Sequence, residues 1–138
     1  MPRLITGSTS VTTIPFVLVV GDNDDFDSSG TVFKGDNTNA RRIDTRGDFS
    51  YSTGRFTCSV PGYYHITFSL SSNDTDYHMA NIKLNGSEVG GSVLNYTQYN
   101  TASNEVNLKL SVGDYVEGHR RGSGYDVYQA RFTVFLIQ

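Results

Sequence analysis

Apolar residues recur with period two along almost the whole chain, and hardly any segment carries the i, i+3, i+4 spacing of an amphipathic helix. Successive side chains of a strand point to opposite faces, so a chain patterned this way buries one face of many strands. The clearest case is "EVNLKLSV", where Val106, Leu108, Leu110 and Val112 share one face and Glu105, Asn107, Lys109 and Ser111 the other. Candidate strands bounded by Gly, Asn, Asp or Ser fall near 16–20, 31–33, 55–59, 63–71, 79–84, 88–96, 104–112, 114–120 and 129–137. About eight to ten strands in 138 residues predict one all-β domain, a sandwich or jelly roll.

Two turns are readable from their chemistry. "KLNGSEV" sets Asn85-Gly86 between alternating runs, and both residues tolerate the positive φ that a two-residue hairpin requires. Gly113-Asp114 separates the next pair of strands. Residues 1–14, rich in Ser and Thr, read as a flexible lead into a globular domain spanning 15–138. In the last strand, "RFTVFLIQ", Phe132, Val134 and Leu136 occupy one face while Phe135 and Ile137 occupy the other. An apolar outer face on a terminal strand is either a subunit interface or a surface covered by a loop of the same chain.

The net charge of −3 supplies no basic field for nucleic acid, so any anion site must be local. "IPFVLVV", Ile14 to Val20, is too short to enter and cross a membrane, contains a proline and reads as a strand. The single cysteine, Cys58, cannot form an intrachain disulfide. It shares its face with Phe56 and Val60, whereas reactive thiols occupy electropositive, partly exposed places. A packed wall residue is expected. His65 has the parity opposite to Tyr64, Ile66 and Phe68 and should face away from the core.

"GDNDDFDSSG", Gly21 to Gly30, fails the EF-hand pattern, because Ser28 and Lys34 stand where Gly and Glu are needed. It reads as a solvated acidic loop. A second acidic loop, "SSNDTDYH", carries Asp74 and Asp76, hard oxygen ligands suited to calcium. Basic side chains cluster at Arg41, Arg42 and Arg46 and again at His119, Arg120 and Arg121. Guanidinium forks take carboxylates, sulfates and phosphates, so either cluster is a candidate anion site, or else a solvated loop that protects a sheet edge. His65, His78 and His119 have no metal-ligand spacing, and no nucleophile elbow or phosphate loop occurs, so no catalytic residue is expected. Sequons at Asn73, Asn85 and Asn95 favour the secretory route.

The stretch from Asp44 to Phe68 resembles the signature of the C1q globular domain. Asp44, Phe49, Phe56, Gly62, Tyr64 and Phe68 stand at the matching positions, and "TGRFTCSVPGYY" is close to the family's wording around its frequent lone cysteine. Thr38 and Ile66 depart from it, each standing where Phe is usual. "KLNGSEV", "LKLSVGDYV" and "ARFTVFLI" resemble later motifs of the same family in the same order.

The resemblance implies a ten-stranded jelly-roll sandwich of the C1q/TNF type, usually a homotrimer packed about a threefold axis. It makes Asp74 and Asp76 candidate calcium ligands near the trimer apex. It also implies a secreted binding head rather than an enzyme. Stalkless members are usually lectin-like pattern-recognition proteins of innate immunity that bind microbial or anionic carbohydrate. The alternative is a receptor-binding or extracellular-matrix assembly head with a protein partner. His119, Arg120, Arg121 and Tyr125, in the last long loop, are the candidate ligand-binding residues.

Overall fold

The computed structural model describes residues 13–72, 78–89, 94–95, 100–122 and 127–137. Its strands run in order β1 (Phe16–Gly21), β2 (Arg41–Asp44), β3 (Phe49–Ser50), β4 (Arg55–Thr57), β5 (Gly62–Ser72) and β6 (His78–Leu84). They continue with β7 (Ser87–Val89), β8 (Leu94–Asn95), β9 (Asn100–Leu110), β10 (Tyr115–Gly122) and β11 (Val127–Leu136). A 3-10 turn covers Asn23–Asp25. Ten strands make two five-stranded antiparallel paths, β2-β1-β11-β5-β9 and β3-β4-β10-β6-β7, and the two-residue β8 pairs alongside β6. This is the jelly-roll sandwich that the sequence predicts.

The inner faces meet in one core. The first sheet supplies Val17, Val19, Tyr64, Ile66, Phe68, Leu70, Phe132 and Val134; the second supplies Phe49, Phe56, Ala80, Ile82 and Val116. Rings run through it in sequence, from Phe26 to Phe33, Phe68, Phe132, Phe49 and Tyr51, with neighbouring centroids 5.1–6.3 Å apart. Burying a phenylalanine contributes roughly 1.5–3 kcal/mol, so these aromatics supply much of the hydrophobic drive. Gly118 on β10 leaves room for this stack, since a Cβ there would come within 2.7 Å of the Phe68 ring.

Turn chemistry sets the register. Asn85 and Gly86 both take positive φ, +50° and +86°, and close the β6–β7 hairpin so that Leu84 faces Ser87. The Asn85 side chain accepts from the Tyr115 amide at 2.9 Å and donates to Asp114 at 3.0 Å, tying this hairpin to the turn before β10.

Two strand expectations change, and one strand was not expected. The segment 31–33 forms only isolated bridges, Phe26 with Phe33 and Val32 with His119. The edge strand β2 lacks alternation because Arg41, Arg42 and Ile43 are all exposed, so no apolar pattern announces it. Val112 does not continue the apolar face of β9, which ends at Leu110; it lies in the following turn, 66% exposed. The predicted flexible lead falls, up to residue 12, outside the described residues.

A polar pocket on the outer face of the second sheet

Along β10, Val116, Gly118 and Arg120 point inward, so Tyr115, Glu117, His119 and Arg121 lie on the outer face. On β6, Asn81 and Lys83 alternate with the core residues Ala80 and Ile82 and share that face. Register then aligns charges across four strands: Arg55 opposes Glu117, Glu117 opposes Lys83, and Lys83 opposes Glu88. Opposite charges facing one another across strands are mutually stabilising. Arg55 closes one end of the row, with Nε 3.4 Å from Glu117 Oε2 and its guanidinium over the Tyr115 ring.

One residue pair further along β10, His119 faces Asn81. These two form the floor of a concavity of about 260 Å³ that Thr31, Lys83 and Arg120 also line, with the exposed Glu88 and Arg121 at its edge. Asn81 is 2% exposed, and its amide oxygen has no hydrogen-bond partner. His119 Nε2 is likewise without a hydrogen bond; Glu117 Oε1 lies 3.5 Å away, close enough for attraction but not aligned for donation. Burial and the Lys83 ammonium hold the imidazole below its ordinary value against the upward pull of Glu117, so the neutral ring prevails near pH 7. Among the described residues, neither Lys83 nor Arg121 enters an ion pair.

The loop 22–33 builds the Thr31 side of this pocket, and its acids are spent doing so. Asp27 accepts from the Thr31 amide at 2.9 Å, the Val32 amide at 3.2 Å and Ser29 Oγ at 2.7 Å. Against the upward push of burial, these bonds hold its carboxyl below the usual value. Asp25, 1% exposed, accepts from the amides of Asp22 and Asn37. The expected solvated acidic loop is therefore an internal brace at these two positions.

Of the predicted binding residues, His119, Arg120 and Arg121 lie on strand β10 and not in a loop. Parity then separates them. Arg120 turns inward, donates from Nε to the Gly30 carbonyl at 2.9 Å and from Nη1 to Asn23 Oδ1 at 3.3 Å, and sits over the Phe26 ring. Its guanidinium backs the pocket wall as a tie to the loop, leaving His119 and Arg121 on the open side. Tyr125, Asp74 and Asp76 lie outside the described residues. Among the described residues, no group of three or more His, Cys, Asp or Glu side chains is placed to hold a metal. The other basic cluster is partly consumed: Arg42 donates to the carbonyls of Gly35 and Asn37, and Arg46 to Ser59 and the Thr13 carbonyl.

Cys58 is 2% exposed, as its parity predicts. Burial pushes its thiol upward, and Sγ donates to the Val60 carbonyl at 3.1 Å, so it remains an inert wall residue. His65 faces away from the core, as expected, with Nδ1 2.6 Å from Asn107 Oδ1 and its ring beside Phe135.

Two five-stranded antiparallel sheets in this order, closed over an aromatic core, define a jelly roll of the tumour-necrosis-factor type. The fold of murine APRIL has this form, with TM-scores of 0.58 and 0.60 in crystal structures at pH 8.5 and 8.0; it is 8% and 9% identical, aligning 90% of this chain with all of that one. The globular domain of zebrafish complement 1qA aligns at TM-score 0.69 and 26% identity, over 91% of this chain and 98% of its own length. The C1q domain family model matches residues 28–137, and the chain belongs to that family. C1q and TNF-like domains typically form trimers, C1q domain proteins are generally extracellular, and both are families of non-enzymatic modules. Among the described residues, no helix is long and apolar enough to cross a membrane.

Proposed function

We propose that this domain is a secreted, homotrimeric, non-enzymatic pattern-recognition module that binds anionic carbohydrate of microbial surfaces through the outer-face pocket. The observation that carries this reading is the meeting of two cations outside any ion pair among the described residues, Lys83 and Arg121, with two buried atoms that make no hydrogen bond, Asn81 Oδ1 and His119 Nε2, in one open concavity. Sugars and their acidic substituents are recognised by such convergent donors, acceptors and guanidinium forks.

The trimer reading rests on the outer face of the first sheet. Phe16 stacks on Phe135 at 6.3 Å, Phe135 meets His65 at 5.1 Å, and Ile137 remains 42% exposed. Covering this face removes apolar surface from water and leaves the opposite sheet, with its pocket, open to solvent. Three equivalent pockets on one rigid body strengthen weak single contacts through multivalency.

A glycan and lipopolysaccharide binding screen, run with calcium and with chelator, tests this reading and covers the calcium proposal for Asp74 and Asp76. Binding to acidic glycans supports it; no glycan binding in either condition, beside tight capture of a protein, overturns it. The second reading, a receptor-binding or matrix-assembly head, is favoured by the exposed Ile14 and Tyr63.

A further inference from the structure

We infer that the outer-face pocket takes a single carboxylate-bearing sugar ring, the carboxylate lying between Lys83 and Arg121 and a ring hydroxyl donating to the Asn81 amide oxygen. This inference rests on the carbohydrate reading of the site and narrows it to one class of ligand.

Three features of the pocket select that class. Charge comes first. Glu117 is matched by Arg55, and the Arg120 guanidinium, which also lines the cavity, is held by Gly30 and Asn23, so the cations turned to the open side are Lys83 and Arg121, against the Glu88 carboxylate. That positive surplus favours an anion, and the Glu88 carboxylate disfavours a ligand that crowds a second negative charge beside it.

Hydrogen bonding is the second. The Asn81 oxygen is a buried acceptor without a donor, which is costly until a ligand supplies one. Sulfate or a lone carboxylate offers only acceptors and leaves it unpaired, while hydrogen phosphate offers a hydroxyl only together with a second negative charge. A uronic acid carries both the anion and adjacent hydroxyl donors, and Thr31 and Glu88 accept further hydroxyls.

Size is the third. The concavity of about 260 Å³ falls just below the ~300–1,000 Å³ of sites that enclose drug-sized ligands, which is room for one ring, any further residue of a glycan lying outside it.

The test is an NMR titration of the ¹⁵N-labelled full chain with D-glucuronate, D-glucose and inorganic phosphate as separate probes. Expected are saturable shifts at Thr31, Asn81, His119 and Arg121 with glucuronate, at an affinity at least about tenfold above glucose or phosphate. Lys83→Gln and Asn81→Leu should each lower that affinity about tenfold or more. Asn81→Leu should not lower the melting temperature, since it removes an unpaired buried acceptor; a purely structural asparagine would give the opposite. Equal affinity for glucose or phosphate, or glucuronate binding indifferent to both substitutions, overturns the inference. If acidic glycans still bind in the screen, the ligand site alone is wrong; if no glycan binds, the carbohydrate reading falls with it.

Discussion

Arg120 and Arg121 are neighbours in sequence yet stand on opposite faces of β10, one tying down the loop 22–33 from inside and the other reaching the rim of the outer pocket. The strand's period of two makes this separation obligatory, and it assigns the two arginines different consequences when removed.

Arg120→Met keeps the apolar stem and deletes the donors to Gly30 and Asn23 and the charge over Phe26. Hydrogen bonds to a charged group contribute about 1.5–3 kcal/mol, so a destabilisation of that order is expected in urea titrations, with faster amide exchange at 27–33. Arg121→Gln should shift stability by less than about 0.5 kcal/mol, as exposed substitutions do. Equal losses from the two variants would refute the division of roles.

Gly118 sits against the Phe68 ring, with no space for a methyl group. Gly118→Ala should cost about 1–3 kcal/mol through overpacking. Because the Gly118 carbonyl also accepts from the Phe33 amide at 3.0 Å, displacement there should loosen the loop beside the pocket. Chemical denaturation measures the first effect, and hydrogen exchange at Phe33 the second. An unchanged midpoint would show that the sheets spread without strain.

His119 gives a pH dependence with a definite sign. Its folded-state pKa lies below the ordinary 6.5, so the unfolded chain binds the proton more readily in the window between the two. Stability should be full above about pH 6.5 and fall as the pH drops through that window, levelling off once both states are protonated. Lys83 lowers this value, while Glu117 and Asp27 raise it. Asp27 and Asp114 are lowered and contribute at more acidic pH, whereas burial raises Asp25, whose contribution falls as the pH rises above the ordinary carboxylate value and so has the sign opposite to that of His119; the comparison with His119→Gln separates the two. An anion held beside Lys83 stabilises the imidazolium, so ligand should raise the His119 pKa and affinity should rise on mild acidification. Urea midpoints between pH 5 and 7.5, compared with His119→Gln, measure the stability effect; a flat wild-type profile would contradict it.

Cys58 should react with a disulfide reagent only as the domain opens, because its thiol is buried and its pKa raised. The labelling rate should therefore follow denaturant-induced opening. Fast labelling under native conditions would mean an accessible thiolate.

Much of the fold was legible because each long strand buries one face: β9, β11 and the aromatics of β5 follow parity, and Asn85-Gly86 marks its own hairpin. β2 was not, since an exposed edge strand carries no alternation. Val112 misled because parity continues through a turn that ends the ladder. At the site, His119 and Arg121 stood out by their chemistry, but Asn81, Lys83, Thr31 and Glu88 did not. Their part depends on which residues of β6, β7 and the loop face β10, a long-range register that no local pattern encodes. Arg120 drew notice through its charge, and only the position of Phe26 and Gly30 reveals its structural tie.

The most direct measurement compares wild type with the Lys83→Gln/Arg121→Gln double variant on an immobilised acidic glycan surface, with melting temperatures recorded alongside. Loss of binding by about tenfold or more is expected from the loss of two charge-assisted contacts, with at most a small drop in melting temperature from the lost cross-strand pairing of Lys83 with Glu117 and Glu88. Equal binding by the two proteins would place recognition elsewhere on the molecule and contradict the assignment of this pocket.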